Sequence, residues 1–131
     1  MVDILRKEVP YGFDETVKRV EEAMLSEGFG VQLITGIHDM FKQKLGIDDY
    51  PKYTFILGCT PHLAKRALET SLDMGLIFPC SFTVYEEEGK VKVAHVSIMK
   101  IGAEIGLADK EAMAPLIEDT GKQVRKVWEK I

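Results

Sequence analysis

The segment from Tyr53 to Tyr85 constrains the fold most, because its pattern predicts a strand, a helix and a second strand in immediate succession. Residues 53–57 are rich in the aromatic and β-branched side chains that strands favour. Gly58 follows this run, and Thr60 and Pro61 then suit the N-cap and the first position of a helix. The strand over 53–57 is therefore expected to lead directly into a helix.

The helix that begins at Pro61 is expected to be amphipathic and to end at Gly75, since glycine tolerates the left-handed conformation of a helix C-cap. Its apolar face is predicted to consist of Leu63, Ala64, Ala67, Leu68 and Leu72. A strand over 81–85 follows. We expect the chain to return so that Cys59 and Cys80, at the end of one strand and the start of the next, share one pocket.

The rest of the chain continues the alternation of strands and helices. The predicted elements are a strand over 2–9, a helix from Phe13 to Gly28, a strand over 29–35 with Phe29, Val31 and Leu33 on one face, a short helix over 38–45, a hairpin at Glu88-Gly89, a strand over 90–98, a loop or frayed turn over 99–107, and a last helix that starts near Asp109 or Ala114. The last helix is predicted to pack Leu116, Val124, Val127 and Trp128 against the sheet. This order favours an α+β fold, with an antiparallel or mixed sheet and helices packed mainly on one face.

Composition favours one globular domain over residues 1–131, with 46% hydrophobic and 29% charged residues. A net charge of −4 and a pI of about 5.4 argue against a nucleic-acid partner. No apolar segment is long enough to span a membrane, and charges interrupt any signal peptide at the N-terminus. We therefore expect a cytoplasmic protein whose two cysteines are thiols.

Several of these segments resemble the DUF302 family, also called TT1751-like. The matching features are LGCTPHLAKRALE from Leu57, GLIFPC from Gly75, Glu27-Gly28-Phe29 after the first helix, and FKQKLG from Phe41. The resemblance covers nearly the whole chain. It implies a two-layer fold similar to the TATA-box-binding protein, and a homodimer. It implies no activity, and it supports Cys59, Pro61, Pro79 and Cys80 but not His62.

The candidate site is a small-molecule binding site formed by Cys59, Thr60, Pro61, His62, Pro79 and Cys80. Cys59 lies at a predicted helix N-terminus, where amides and the helix dipole favour a thiolate. The alternative is a redox pair or a soft-metal site at the two thiols, and the plainest interpretation is that both cysteines pack in the core.

Zinc requires about four ligands, and the chain offers only two cysteines besides the scattered His38, His62 and His95, so no metal site is predicted. No cofactor or catalytic residue is identified. We expect a dimeric ligand- or partner-binding module, with no nucleic-acid or membrane partner.

Overall fold

A five-stranded antiparallel sheet in the order β1-β5-β4-β3-β2 is the frame of the protein, as seen in a computed structural model that describes residues 2–131. The strands are β1 Leu5–Val9, β2 Gly30–Gly36, β3 Tyr53–Cys59, β4 Cys80–Glu87 and β5 Lys90–His95. The helices are α1 Phe13–Ser26, α2 Ile37–Leu45, α3 Pro61–Thr70, α4 Ile98–Glu104 and α5 Lys110–Glu129, with a 3₁₀ helix at Leu72–Ile77.

The helices cover one face of this sheet, which we call the inner face. Every second residue of the central strands is buried, and the residues between them are half-exposed or exposed. The buried set is Thr54, Ile56, Gly58, Cys80, Phe82, Val84, Val91, Val93 and His95. This alternation is the pattern of an antiparallel sheet with one covered face. It confirms the predicted two-layer α+β fold.

The hydrophobic core has two parts. The larger part lies between the inner face and helices α1 and α5, and includes Phe82, Met24, Ile56, Val93 and Val127. The smaller part lies among the helices and consists of Ala67, Met74, Met99, Ala103, Met113 and Leu116. Val124 and Val127 pack on the sheet side as predicted, whereas Leu116 belongs to the smaller cluster.

The prediction that Val31 and Leu33 share a face is wrong. Val31 pairs with Gly58 and Leu33 with Leu57, so two residues of β2 advance against one residue of β3. This β-bulge reverses the alternation. Val31 consequently packs against the core, while Leu33 is 52% exposed.

The helix predicted to run to Gly75 ends at Thr70. Ser71 is extended, with φ −159° and ψ 125°, and its hydroxyl donates to the Leu107 carbonyl at 2.6 Å. The chain continues as the 3₁₀ helix, which turns Leu72 outward until it is 82% exposed. The helix therefore ends before the predicted glycine, at a serine that is hydrogen-bonded to another loop.

The predicted loop over 99–107 is helix α4, which begins at Ile98 and follows β5 after only a short connection. The Ser97 hydroxyl accepts from the Lys100 amide and caps it. Gly102 sits inside this helix because a Cβ there would collide with the sulfur of buried Met74. Close packing therefore explains a glycine that the sequence pattern alone assigned to a loop. The last helix uses the earlier of its two predicted starts, with the Asp109 carboxylate accepting from the Ala112 amide.

The hairpin between β4 and β5 is confirmed, since Glu88 and Gly89 both have positive φ, as a tight hairpin turn of this kind requires. Within residues 2–131, none of the helices combines the length and the apolar character needed to cross a membrane.

Candidate functional site

The two cysteines lie beside each other on paired strands, but on opposite sides of the sheet. Gly58 of β3 pairs with Cys80 of β4, so the chain re-enters the sheet next to the place where Cys59 leaves it. Cys80 is buried on the inner face, whereas Cys59 has the alternation of the outer, uncovered face. The Gln32 side-chain amide donates to the Cys59 sulfur at 3.6 Å on that exposed side. Both cysteines are free thiols.

Both cysteines also line one small cavity beside the N-terminus of α3. Its volume is about 10 Å³, and its other lining residues are mostly apolar, among them Phe29, Leu63, Phe78 and Ile98. A volume of this size is at the lower limit for one water molecule. The surrounding side chains therefore leave very little free space, and a larger ligand would have to displace some of them or approach from the outer face.

Burial makes Cys80 a poor nucleophile. Loss of solvent and, to a smaller extent, the neighbouring Cys59 together raise the pKa of its thiol to about 12. At neutral pH this thiol is protonated, and the thiolate is the reactive form. Any thiol chemistry at the site therefore begins at Cys59, which is half-exposed.

Thr60 occupies the N-cap position of α3, but its hydroxyl does not cap the helix. It donates instead to Gln123 Oε1 on α5 at 2.8 Å, and the amide of the same Gln123 donates to the Glu27 carbonyl at 2.7 Å. Two polar side chains thus connect α3, α5 and the end of α1. Thr60 holds the helices beside the cavity together and is only 6% exposed.

The remaining predicted site residues lie around this cavity without lining it. Pro61 and His62 are exposed at the start of α3, and His62 lies in a separate surface depression beside Glu27 and Asp119. Pro79 is half-buried and follows Phe78 in a cis peptide bond. The structure thus brings Cys59, Thr60 and Cys80 together at the cavity but places His62 elsewhere.

The histidines do not join the cysteines. His38 accepts from the Tyr53 amide at 3.0 Å at the far end of β3, and His95 lies on the inner face of β5. Within residues 2–131, no group of three or more metal-ligating side chains is close enough to hold an ion.

A larger pocket lies away from the cysteines, where the end of β5 faces α5. Its volume is about 440 Å³, and His95, Thr120 and Trp128 are among its lining residues. Sequence reasoning treated His95 only as a scattered metal ligand and Trp128 only as core. One signal in the sequence could have indicated this pocket, namely a histidine that alternates with the buried valines of a strand. A buried polar side chain requires a hydrogen-bond partner, so its surroundings are a candidate binding site.

Comparison with known proteins identifies the family of this chain but gives no activity for it. The family model described as "Domain of unknown function DUF302" matches residues 5–131. The crystal structure of an uncharacterized conserved DUF302 protein from Bacillus stearothermophilus is similar, with 25% sequence identity and a TM-score of 0.84. The alignment covers 97% of this chain and 96% of that one. No curated protein matches the chain. Since the family model spans nearly all of the sequence, the predicted relationship is confirmed, and the chain belongs to the DUF302 family.

Proposed function

We propose that this domain is a homodimeric binding module in which two copies pair through the outer face of the sheet. The observation that carries the proposal is the apolar centre of that face. The ring centroid of Tyr53 lies 5.3 Å from that of Tyr85, on which it stacks, and 5.4 Å from that of Phe55, and all three residues are half-exposed on the outer face. Contiguous exposed apolar surface on a small protein marks an interaction site.

A second copy of the chain is the occupant that fits this face best. The outer positions of β1, β4 and β5 carry charges of both signs around the apolar centre, including Arg6, Glu8 and Lys92. A twofold interface places a patch against itself, and a border of mixed sign is compatible with that arrangement, whereas a border of one sign would repel its copy.

The size of the face is also suitable for dimerisation. Five strands at a spacing of about 4.8 Å and a length of about 20 Å span a flat area of roughly 480 Å². A standard interface uses about 800 Å² of accessible surface on each partner. Side-chain relief increases the flat figure, and Leu33, which pairs with the outer-face residue Leu57, is 52% exposed and adds to the apolar area.

The cysteine site borders this face, and we propose that it binds a small ligand or a partner segment from that side. Its residues are Cys59, Thr60 and Cys80, with Pro61 and Pro79 beside them, whereas His62 lies in a separate depression. The half-exposed sulfur of Cys59 beside Gln32 supports an approach from the outer face. The alternative function, a thiol-dependent redox or metal-binding protein, is disfavoured by the raised pKa of Cys80.

Sedimentation velocity at micromolar concentration tests the dimer. We expect the wild-type protein to sediment as a dimer and Phe55→Arg to sediment as a folded monomer, because the charge lies at the centre of the proposed interface. Leu72→Glu is the matched control, since Leu72 is exposed on a different surface. A monomeric wild-type protein, or a dimer that Leu72→Glu breaks and Phe55→Arg leaves intact, would refute the proposal.

A further inference from the structure

The pocket of about 440 Å³ at the end of β5, which we call the His95 pocket, has the dimensions of a ligand site. Pockets that hold small molecules usually measure about 300–1,000 Å³ and have apolar walls with a few polar groups. The walls are formed by the start of the chain, the end of β5, α4 and α5. The lining residues that matter for binding are His95, Lys100, Thr120, Gly121, Arg125 and Trp128.

Two residues that line this pocket each carry a buried polar atom with no hydrogen-bond partner in the described chain. The atoms are Nε2 of His95 and Oγ1 of Thr120, whose residues are 4% and 3% exposed. Buried side-chain polar atoms are paired in the large majority of cases. Two such residues in the wall of one pocket therefore indicate a missing partner.

The protonation of His95 is determined by its other nitrogen. Nδ1 lies 2.8 Å from the Ser81 carbonyl, which can only accept, so Nδ1 carries the hydrogen. Burial lowers the pKa of the ring, which keeps it neutral. Phe82 stacks on the ring with centroids 4.2 Å apart and fixes its plane. Nε2 is therefore a rigidly held acceptor, and its partner must be a hydrogen-bond donor.

Gly121 is an independent indication that a molecule occupies the His95 pocket. It lies in the interior of α5, where glycine is a poor helix former. A Cβ at this position would meet nothing within 4 Å, so packing within the protein does not require glycine here. Since Gly121 lines the pocket, a bound molecule against the helix backbone would explain the residue.

The remaining lining residues define the chemistry of the molecule. Trp128, Val124 and Ile117 form an apolar wall, and Lys100 and Arg125 contribute two positive charges against the single negative charge of Asp3. We infer that the His95 pocket binds a small amphipathic carboxylate, which donates a hydroxyl or N–H hydrogen to His95 and turns its carboxylate toward Arg125 and Lys100. This pocket is a different site from the cysteine cavity, although Thr120 lines both, and it does not include the proposed dimer face.

The first test uses para-hydroxybenzoate, which carries a phenolic donor, an aromatic body and a carboxylate. Trp128 is the only tryptophan of the chain, so its fluorescence reports occupancy directly. We expect saturable binding with a Kd of about 1 mM or below, as is reasonable for a ligand of this size. Benzoate lacks the donor, and para-hydroxybenzyl alcohol lacks the carboxylate. Each is expected to bind about 10-fold more weakly, which is the value of one good hydrogen bond or charge contact.

Variants locate the binding in the pocket. Gly121→Ala, which adds a methyl group into the space, and Thr120→Val, which removes the hydroxyl, are each expected to weaken para-hydroxybenzoate binding about 10-fold or more. Thr120→Ser keeps the hydroxyl and should bind within about 3-fold of wild type, since the hydrogen bond is retained. Arg125→Gln should weaken para-hydroxybenzoate but not the alcohol. Lys126→Gln removes the same charge from the same helix outside the pocket and should change neither.

Thermal unfolding of each variant is measured first, so that loss of binding is interpreted only for folded protein. Absence of saturable binding by folded wild type at millimolar para-hydroxybenzoate overturns the inference, because the pocket then holds water alone. Equal affinity for para-hydroxybenzoate and benzoate overturns the role of His95. Unchanged binding by Gly121→Ala overturns the location. None of these results depends on the oligomeric state, so the dimer proposal is tested separately.

Discussion

Gly58→Ala tests how the strand that carries the cysteine site is packed. Gly58 lies on the inner face of β3, between Val31 of β2 and Cys80 of β4. A Cβ at this position would lie 2.8 Å from the Gly30 carbonyl oxygen and 2.9 Å from the terminal methyl of Met24. The first neighbour is backbone of the adjacent strand, and the second is a fully buried side chain under α1. The carbonyl cannot move without disturbing the sheet, whereas the methyl ends a flexible side chain that can shift more easily.

The expected loss of stability follows from two opposing terms. Overpacking a core by one methyl group costs about 1–3 kcal/mol. Replacing glycine restricts the unfolded chain and returns about 0.4–1 kcal/mol. Because the tighter contact is with backbone, the first term should be near its upper range, and the net loss should be about 2 kcal/mol. For a domain of this size, that corresponds to a decrease in Tm of roughly 6–10 °C.

Urea denaturation followed by the fluorescence of Trp128 measures this difference directly. Gly75→Ala is the matched control, since its Cβ would lie 3.5 Å from the nearest atom, Leu68 Cδ2, which is ordinary contact. That variant should equal or slightly exceed the wild type in stability. If Gly58→Ala unfolds at the same urea concentration as Gly75→Ala, the close approach of β2 to β3 is not rigid and the reasoning is refuted.

Three further predictions concern titration and packing. Because burial raises the pKa of Cys80 to about 12, the folded state holds a proton that the unfolded state releases near pH 9. The free energy of unfolding should therefore fall by about 1.4 kcal/mol per pH unit above pH 9. In urea titrations at alkaline pH, Cys80→Ala should remove this slope and Cys59→Ala should not. Because burial lowers the pKa of His95, the unfolded state binds more protons below about pH 6.5, so stability should fall as the pH decreases through that value, and less so in His95→Gln. Trp128→Ala should lower the free energy of unfolding by about 3 kcal/mol, near the lower end for buried aromatic residues, because the ring is half-buried and Lys7 Nζ lies 4.8 Å from its centroid. An unchanged Tm would contradict this prediction.

Local signals were sufficient to predict the starts of α1 and α3 and the alternation of β5, although not which face of β5 is buried. Pro61 begins α3, and the alternation along β5 places Val91, Val93 and His95 on one buried face. The two-layer arrangement followed from the order of these elements. Such features depend on residues close in sequence, so a single sequence contains them.

The features that the sequence did not predict depend on contacts between distant segments. Glycine is required at position 102 of helix α4 because Met74, from the 3₁₀ helix, packs against it. The bulge in β2 is set by its pairing with β3, and the short α3 by the bond from Ser71 to Leu107. Single-sequence periodicity contains none of these contacts, and the same limit applies to the His95 pocket.

Thr120 connects the stability of the fold to the His95 pocket, and its hydroxyl gives the last prediction. The residue lies in α5, 3% exposed, and lines both the cysteine cavity and the His95 pocket, but Oγ1 has no partner in the described chain. An unpaired buried hydroxyl costs about 1–3 kcal/mol, and valine has nearly the same shape without that cost. Thr120→Val should therefore raise the free energy of unfolding of the ligand-free protein by about 1 kcal/mol in urea titrations, while Thr120→Ser should lower it through the lost methyl group. A residue that is less stabilising than an available alternative is expected at a binding site, because function there can require side chains that are not optimal for stability. If Thr120→Val instead lowers stability, the hydroxyl already has a partner in the free protein, and the argument that a ligand supplies it fails.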